Sequence, residues 1–189
     1  MSFKSSVKKG WVFLKEDTWQ SWLVSLVLVF LFIKFVFFPV LTLISGAPLP
    51  LVVVESCSMY HEYGFDKWWE QNGVLYEQYE IDKQTFESFS FLNGLNKGDI
   101  VFVWGVDDIE LGDVIIFNSN YKYPLIHRVV ELDNIGTKGD HNPGQLSAET
   151  DINEEQVLGR AVGRVPALGW VKLIFFEGFK DEEQRGFCQ

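Results

Sequence analysis

The longest run of apolar positions in the chain extends from Trp22 to Ile44, about 23 residues interrupted only by Ser25, Lys34, Pro39 and Thr42. At 1.5 Å per residue this run is long enough to cross a bilayer as a helix. A lysine near the centre of a span costs roughly 2.5–3.5 kcal/mol, whereas each of the roughly eighteen Leu, Val, Ile and Phe residues contributes about 0.3–0.6 kcal/mol in favour of insertion. The balance favours insertion, with Lys34 snorkelling or paired and a kink or shift expected near Pro39. Beyond the run the pattern changes to short segments rich in β-branched and aromatic residues. Leu51–Glu55, Ile100–Trp104, Val114–Phe117, Leu125–Leu132, Gln156–Val165 and Trp170–Phe175 have strand character. The last of these, too short to span a membrane, is expected to be a final strand or an interfacial segment. Lys97-Gly98-Asp99 and Leu111-Gly112-Asp113 are turn signals, each opening a hydrophobic run.

One stretch breaks this rhythm. Tyr60 to Asn93 is rich in aromatic and acidic residues, and Asp66–Glu70 and Asp82–Glu87 are expected to form short helices with acidic first turns. It is expected to be a small cap inserted into the sheet and packed upon it. The fold class that follows is mostly β: a β domain with a short α-containing insertion, carried on one N-terminal transmembrane helix. The expected organisation is a basic N-terminus (1–20), an anchor (21–45), a β domain (46–176, with the cap at 60–93) and a C-terminal tail (177–189).

Charge adds an orientation. Lys4, Lys8, Lys9 and Lys15 precede the apolar run against only Glu16 and Asp17, which predicts a cytoplasmic amino terminus and an external body. Beyond residue 45 there are 11 basic and 24 acidic side chains. An acidic body without a basic patch excludes nucleic acid as a partner. The apolar run exceeds the length of a signal-peptide core, and Pro48 would follow any cut after Ala47, so a retained anchor is expected. The two cysteines, Cys57 and Cys188, lie too far apart to suggest a disulfide framework or a zinc site, and unpaired thiols are expected.

The candidate chemistry begins just past the anchor, in Val54-Glu55-Ser56-Cys57-Ser58-Met59. A serine hydroxyl becomes a nucleophile only when a base takes its proton. In an extended backbone Ser56 and Ser58 would share one face, so the Ser56 hydroxyl could assist the Ser58 N–H in holding an oxyanion. His127, inside the apolar string Leu125-Ile126-His127-Arg128-Val129, is the favoured base over His61 and His141. Asp140, in Lys138-Gly139-Asp140-His141-Asn142, and Asp151, eleven residues later, are both candidates to orient it, and spacing alone does not choose between them.

Taken in order, Ser56-x-Ser58-Met59 after a span, the strands opened by Gly-Asp, Ile126-His127-Arg128-Val129 and Lys138-Gly139-Asp140-x-Asn142 resemble the type I signal peptidases of the archaeal and endoplasmic-reticulum branch. The resemblance covers Leu41 to about Trp170. It implies a membrane-bound serine endopeptidase that removes signal peptides from secretory preproteins after small residues. It further implies Ser58 as nucleophile, His127 as general base, Asp140 and Asp151 as the family's aspartates, and Met59 beside the substrate surface. No metal or organic cofactor is called for, and the expected setting is the cell membrane, single-pass, in contact with lipid. Cys57 replaces the glycine usual between the serines, Tyr60-His61 replaces a segment that normally carries proline, and the Tyr60–Asn93 insertion is absent from shorter members. A non-catalytic membrane-anchored β-domain acting in binding or assembly would keep the span and sheet without requiring Ser58 and His127.

Overall fold

A computed structural model describes residues 11–188; Lys4, Lys8 and Lys9 of the basic N-terminal segment lie outside them. The chain divides into two compact units between Ile44 and Ser45. In the first, one continuous helix runs from Trp19 to Ser45, 27 residues with a mean hydropathy of 2.7 in its most apolar window. At 1.5 Å per residue this is about 40 Å, long enough and apolar enough to cross a membrane. Thr18 caps its start by accepting a hydrogen bond from the Ser21 N–H. Around Lys34 the helix loosens into a π-turn over Ile33–Phe37. Pro39 has no N–H to donate to the preceding turn, so the expected irregularity takes the form of a wider turn just ahead of it.

The second unit is built on a six-stranded sheet in the order β1-β2-β6-β3-β4-β5, every pairing antiparallel. The strands are β1 Leu51–Val53, β2 Ile100–Trp104, β3 Val114–Phe117, β4 Leu125–Glu131, β5 Gly136–Lys138 and β6 Val157–Val165. The predicted runs therefore form strands, except for two differences. β5, only three residues long, carries too little hydrophobic pattern to stand out. Trp170–Phe175 forms neither a strand nor part of the sheet: Trp170–Leu173 is a short helix. Its apolar residues are contiguous and do not alternate, and a single helical turn lets Leu173 enter the core while Val171, Ile174 and Phe175 stay exposed.

β3 explains its own unbroken hydrophobic string by being buried on both faces. Val114 and Ile116 join a core with Met59, Leu95, Val101, Val103 and Ala161, while Ile115 and Phe117 join a second with Val129 and Ile152. Three register shifts, at Phe102/Val103, Ile116/Phe117 and Val129/Glu131, curl the sheet around these cores.

The two Gly-Asp turns are built alike. Asp99 accepts from the Asn96 N–H and Asp113 from the Glu110 N–H, both at 3.0 Å, and each aspartate pairs with an arginine of β6, Arg164 and Arg160 respectively. Gly98 and Gly112 have φ of +91° and +87°, and a Cβ on either would collide with the ring of Trp170 or Phe89.

The insertion folds as a third, aromatic core. Phe65, Trp68, Tyr76, Ile81 and Phe86 are buried together against Val130 of β4. Two of its three helices, Phe65–Asn72 and Lys83–Glu87, match the expected segments, the second capped by Asp82, and a further short helix, Val74–Glu77, lies between them. The segment is thus packed as a cap on the sheet.

Candidate active site

Ser58 follows β1 in a tight turn closed by a bond from the Tyr60 N–H to the Cys57 carbonyl. This differs from an extended backbone, yet the two hydroxyls still meet: Ser56 Oγ and Ser58 Oγ are 3.1 Å apart. The turn is held from the far side, where the His141 N–H donates to the Ser58 carbonyl at 2.8 Å.

His127 sits in β4 opposite Ile115 and is only 2% exposed. Its Nε2 lies 2.9 Å from Ser58 Oγ and its Nδ1 lies 2.5 Å from Glu149 Oε1. Glu149 is wholly buried and its carboxylate is used fully: Oε1 also accepts from the Thr137 hydroxyl, and Oε2 accepts from the Leu146 N–H at 2.6 Å. A carboxylate on Nδ1 fixes the proton there and leaves the Nε2 lone pair facing the serine. The result is a continuous series of hydrogen-bonding groups, Ser56, Ser58, His127, Glu149 and Thr137.

The aspartates fall elsewhere. Asp140, also wholly buried, receives Tyr76 and Arg128 on Oδ1 and Arg128 and His61 on Oδ2, which occupies both oxygens. Burial alone would raise its pKa, but the Arg128 charge and the bonds from His61 and Arg128 outweigh this and hold it well below the usual carboxylate range. Asp151 is exposed, away from the ring. The carboxylate that reaches His127 is thus Glu149, two residues before Asp151, and nothing in its local sequence sets it apart from the other acids there. Met59 is likewise in the core, fully buried, with its sulfur 3.5 Å from the Asp140 N–H, and it does not line the cleft.

Two further residues shape the site. Gly139 lies so close that a Cβ would fall 2.9 Å from both His127 Nε2 and the Ser58 carbonyl. Only glycine fits between Lys138 and Asp140 without pushing the serine loop off the imidazole. Lys138 is buried over the Tyr76 ring, where burial lowers its pKa to about 8 despite the nearby Asp140 and Glu149.

A cleft of about 680 Å³ opens over Ser56, Ser58, Leu125 and His127, and the loop Asn142–Leu146 forms its other wall. The two cysteines do not remain free thiols: Cys57 and Cys188 form a disulfide across 131 residues. Folding brings the tail to the serine loop, a proximity that separation in sequence could not reveal.

The chain is similar to several signal peptidase complex catalytic subunits. The signal peptidase complex catalytic subunit of Pyrenophora tritici-repentis is 26% identical over 155 residues, covering 72% of this chain and 69% of that protein. That of Colletotrichum graminicola is 25% identical over 152 residues, and that of Lachancea thermotolerans 31% over 97, covering 43% of this chain and 58% of its own length. The chain resembles signal peptidase catalytic subunits. In its shorter alignments it spans just over half the length of these relatives, 56% for that of Sclerotinia sclerotiorum. No family model matches the chain. The acid on His127 is a glutamate, one methylene longer than the aspartates expected at Asp140 and Asp151, and it accepts from the Thr137 hydroxyl and the Leu146 N–H.

Proposed function

We propose that the chain is a membrane-anchored serine endopeptidase that removes signal peptides from secretory preproteins, with Ser58 as nucleophile, His127 as general base and Glu149 as the carboxylate that orients it. The single observation that carries this reading is the 2.9 Å contact of Ser58 Oγ with His127 Nε2, in an open cleft, with Glu149 on the opposite ring nitrogen. His127 takes the Ser58 proton as the oxygen attacks the carbonyl carbon, and the tetrahedral oxyanion is met by the Ser58 N–H and the Ser56 hydroxyl. Glu149 stabilises the imidazolium so formed without taking its proton. His127 then protonates the leaving amine, and the acyl-enzyme is hydrolysed by water activated on the same nitrogen. No step asks for a metal or an organic cofactor.

The substrate is an extended peptide lying between Leu125 and the Asn142–Leu146 wall, with a small side chain before the cut facing the apolar lining of Leu125 and Leu146. Asp140 is assigned a structural part, joining the insertion to the strand that carries the base. We place the amino terminus in the cytoplasm and the β unit on the opposite side of a membrane that lies on the secretory route. The leading lysines support that orientation, and so does the Cys57–Cys188 disulfide, a bond typical of oxidising compartments. The test is incubation of detergent-solubilised protein with a preprotein, followed by sequencing of the new amino terminus. Cleavage after a small residue that is abolished by Ser58→Ala and by His127→Ala is expected. Undiminished cleavage by Ser58→Ala would end the assignment.

A further inference from the structure

The residues flanking the reacting serine are held from an unexpected direction. After β1, the Val54 N–H and carbonyl are tied to the turn at Gly98-Asp99, and the Ser58 carbonyl accepts from the His141 N–H. Between them, among the described residues, Glu55, Ser56 and Cys57 make only two local links, the Ser56–Ser58 hydroxyl pair and the bond from the Tyr60 N–H to the Cys57 carbonyl. Their other tethers all come from the tail. Lys172 Nζ pairs with the Glu55 carboxylate at 2.7 Å, Lys180 Nζ donates to the Glu55 carbonyl at 3.0 Å, and Cys188 is bonded to Cys57.

The tail is itself anchored at the turn that holds Val54. Lys97, buried at the Gly98 turn, donates to Glu177 at 2.9 Å and to the Gln184 carbonyl at 2.6 Å. Glu177 also accepts from the Gly186 N–H, and Phe187 packs on Trp170 with ring centres 4.6 Å apart. Residues 170–188 thus form a strap fixed at one side to the Gly98 turn and at the other to Glu55 and Cys57.

We propose that this strap is a positioning device for the proposed reaction: the Cys57–Cys188 bond holds the Ser56–Ser58 segment so that the Ser56 hydroxyl and the Ser58 N–H face the developing oxyanion. The inference rests on the endopeptidase reading given above. Cys57 acts through its neighbours and does not touch the reacting atoms. A disulfide between the two serines restrains a segment that the sheet itself leaves loose, and a displacement of about 1 Å at such a site is enough to cost about 10²-fold in rate. The oxyanion forms only in the transition state, so the loss should fall on kcat and leave KM nearly unchanged.

The test uses the full chain in detergent. Dithiothreitol supplies two electrons and two protons to the disulfide, leaving Cys57 and Cys188 as thiols and itself becoming a cyclic disulfide. In the wild type, reduction is expected to lower kcat by about 10–100-fold with KM within about twofold, and reoxidation to restore it. The Cys57→Ala/Cys188→Ala variant should start at the reduced value and be indifferent to dithiothreitol. Hydrogen exchange read in parallel should rise on reduction at the Tyr60 and His141 N–H groups, which bond the Cys57 and Ser58 carbonyls, while β3 and β4 keep their protection. Unchanged kcat on reduction overturns the proposal, and so does unchanged exchange at the Tyr60 and His141 N–H groups. If the oxidised wild type cleaves no preprotein at all, the endopeptidase reading fails, whereas the exchange measurement still decides whether the strap restrains the loop.

Discussion

Glu149→Gln isolates the orienting carboxylate with no change in volume. Glutamine has one acceptor oxygen and one NH2, and the site asks for acceptors on both sides: Oε1 faces His127 Nδ1 and the Thr137 hydroxyl, and Oε2 faces the Leu146 N–H. With the NH2 toward Leu146, two donors confront each other and a buried N–H is left unsatisfied, at about 1–3 kcal/mol. With the NH2 toward His127, the conflict is relieved by moving the ring proton from Nδ1 to Nε2, so the second arrangement prevails. The nitrogen facing Ser58 then carries a proton and cannot accept another. Loss of the correct tautomer in a triad costs about 10⁴-fold in kcat, so a fall of 10³–10⁴-fold is expected here, about 4–5.5 kcal/mol of barrier. KM should stay within a few-fold, because the cleft walls are untouched. The assay is steady-state cleavage of a preprotein, with thermal unfolding of the same samples. Glu149→Gln within tenfold of wild-type kcat would refute the reasoning, as would a kcat loss that merely tracks the folded fraction.

Asp140→Asn should behave oppositely: it leaves the buried Arg128 uncompensated, at about 3–5 kcal/mol of stability, while the molecules that remain folded keep a near-wild-type kcat, as unfolding and activity measured together will show. The same carboxylate makes stability acid-sensitive. Its folded pKa lies below its unfolded value near 4, so its contribution is complete above about pH 4 and is lost as pH falls through the folded value; Asp140→Asn should flatten that limb of a stability–pH curve. Ser56→Ala, at an exposed position, should leave unfolding unchanged and lower kcat by about 10²–10³-fold if its hydroxyl serves the oxyanion. Tags placed before the apolar helix and after the tail should show opposite sensitivity to protease added to sealed membranes, the first being cut only from the cytoplasmic side and the second only from the other.

The parts of the fold visible in the sequence are those with a strong local cause. β3 was visible because burial on both faces demands an unbroken apolar run, and the Gly-Asp turns because a positive φ needs glycine there. Trp170–Phe175 misled for the same reason: contiguous apolar residues do not reveal the period, and its single helical turn is imposed by packing of Trp170 on Gly98. Ser58 and His127 stood out through the order of their motifs, Ser56-x-Ser58-Met59 before Ile126-His127-Arg128-Val129, and the resemblance that order carries, since neither residue is unusual in its own segment. Glu149 did not, since its role arises only when the loop 142–149 folds back over β4 and β5. The insertion shows the reverse case. It looked like an accessory cap, but Tyr76 and His61 bind the same Asp140 that pairs with Arg128, so one buried network joins it to the base-bearing strand.

The Cys57–Cys188 bond also sets a clock. A chain made from its amino terminus presents Cys57 first, and its partner follows 131 residues later. At about 5–20 residues per second that interval is roughly 7–26 s. During it the serine loop exists without its tether, and Cys57 remains open to any other thiol or disulfide. A protein arranged in this way closes its serine loop only after the sheet that supports it has been synthesised, so that closure is timed by the arrival of Cys188.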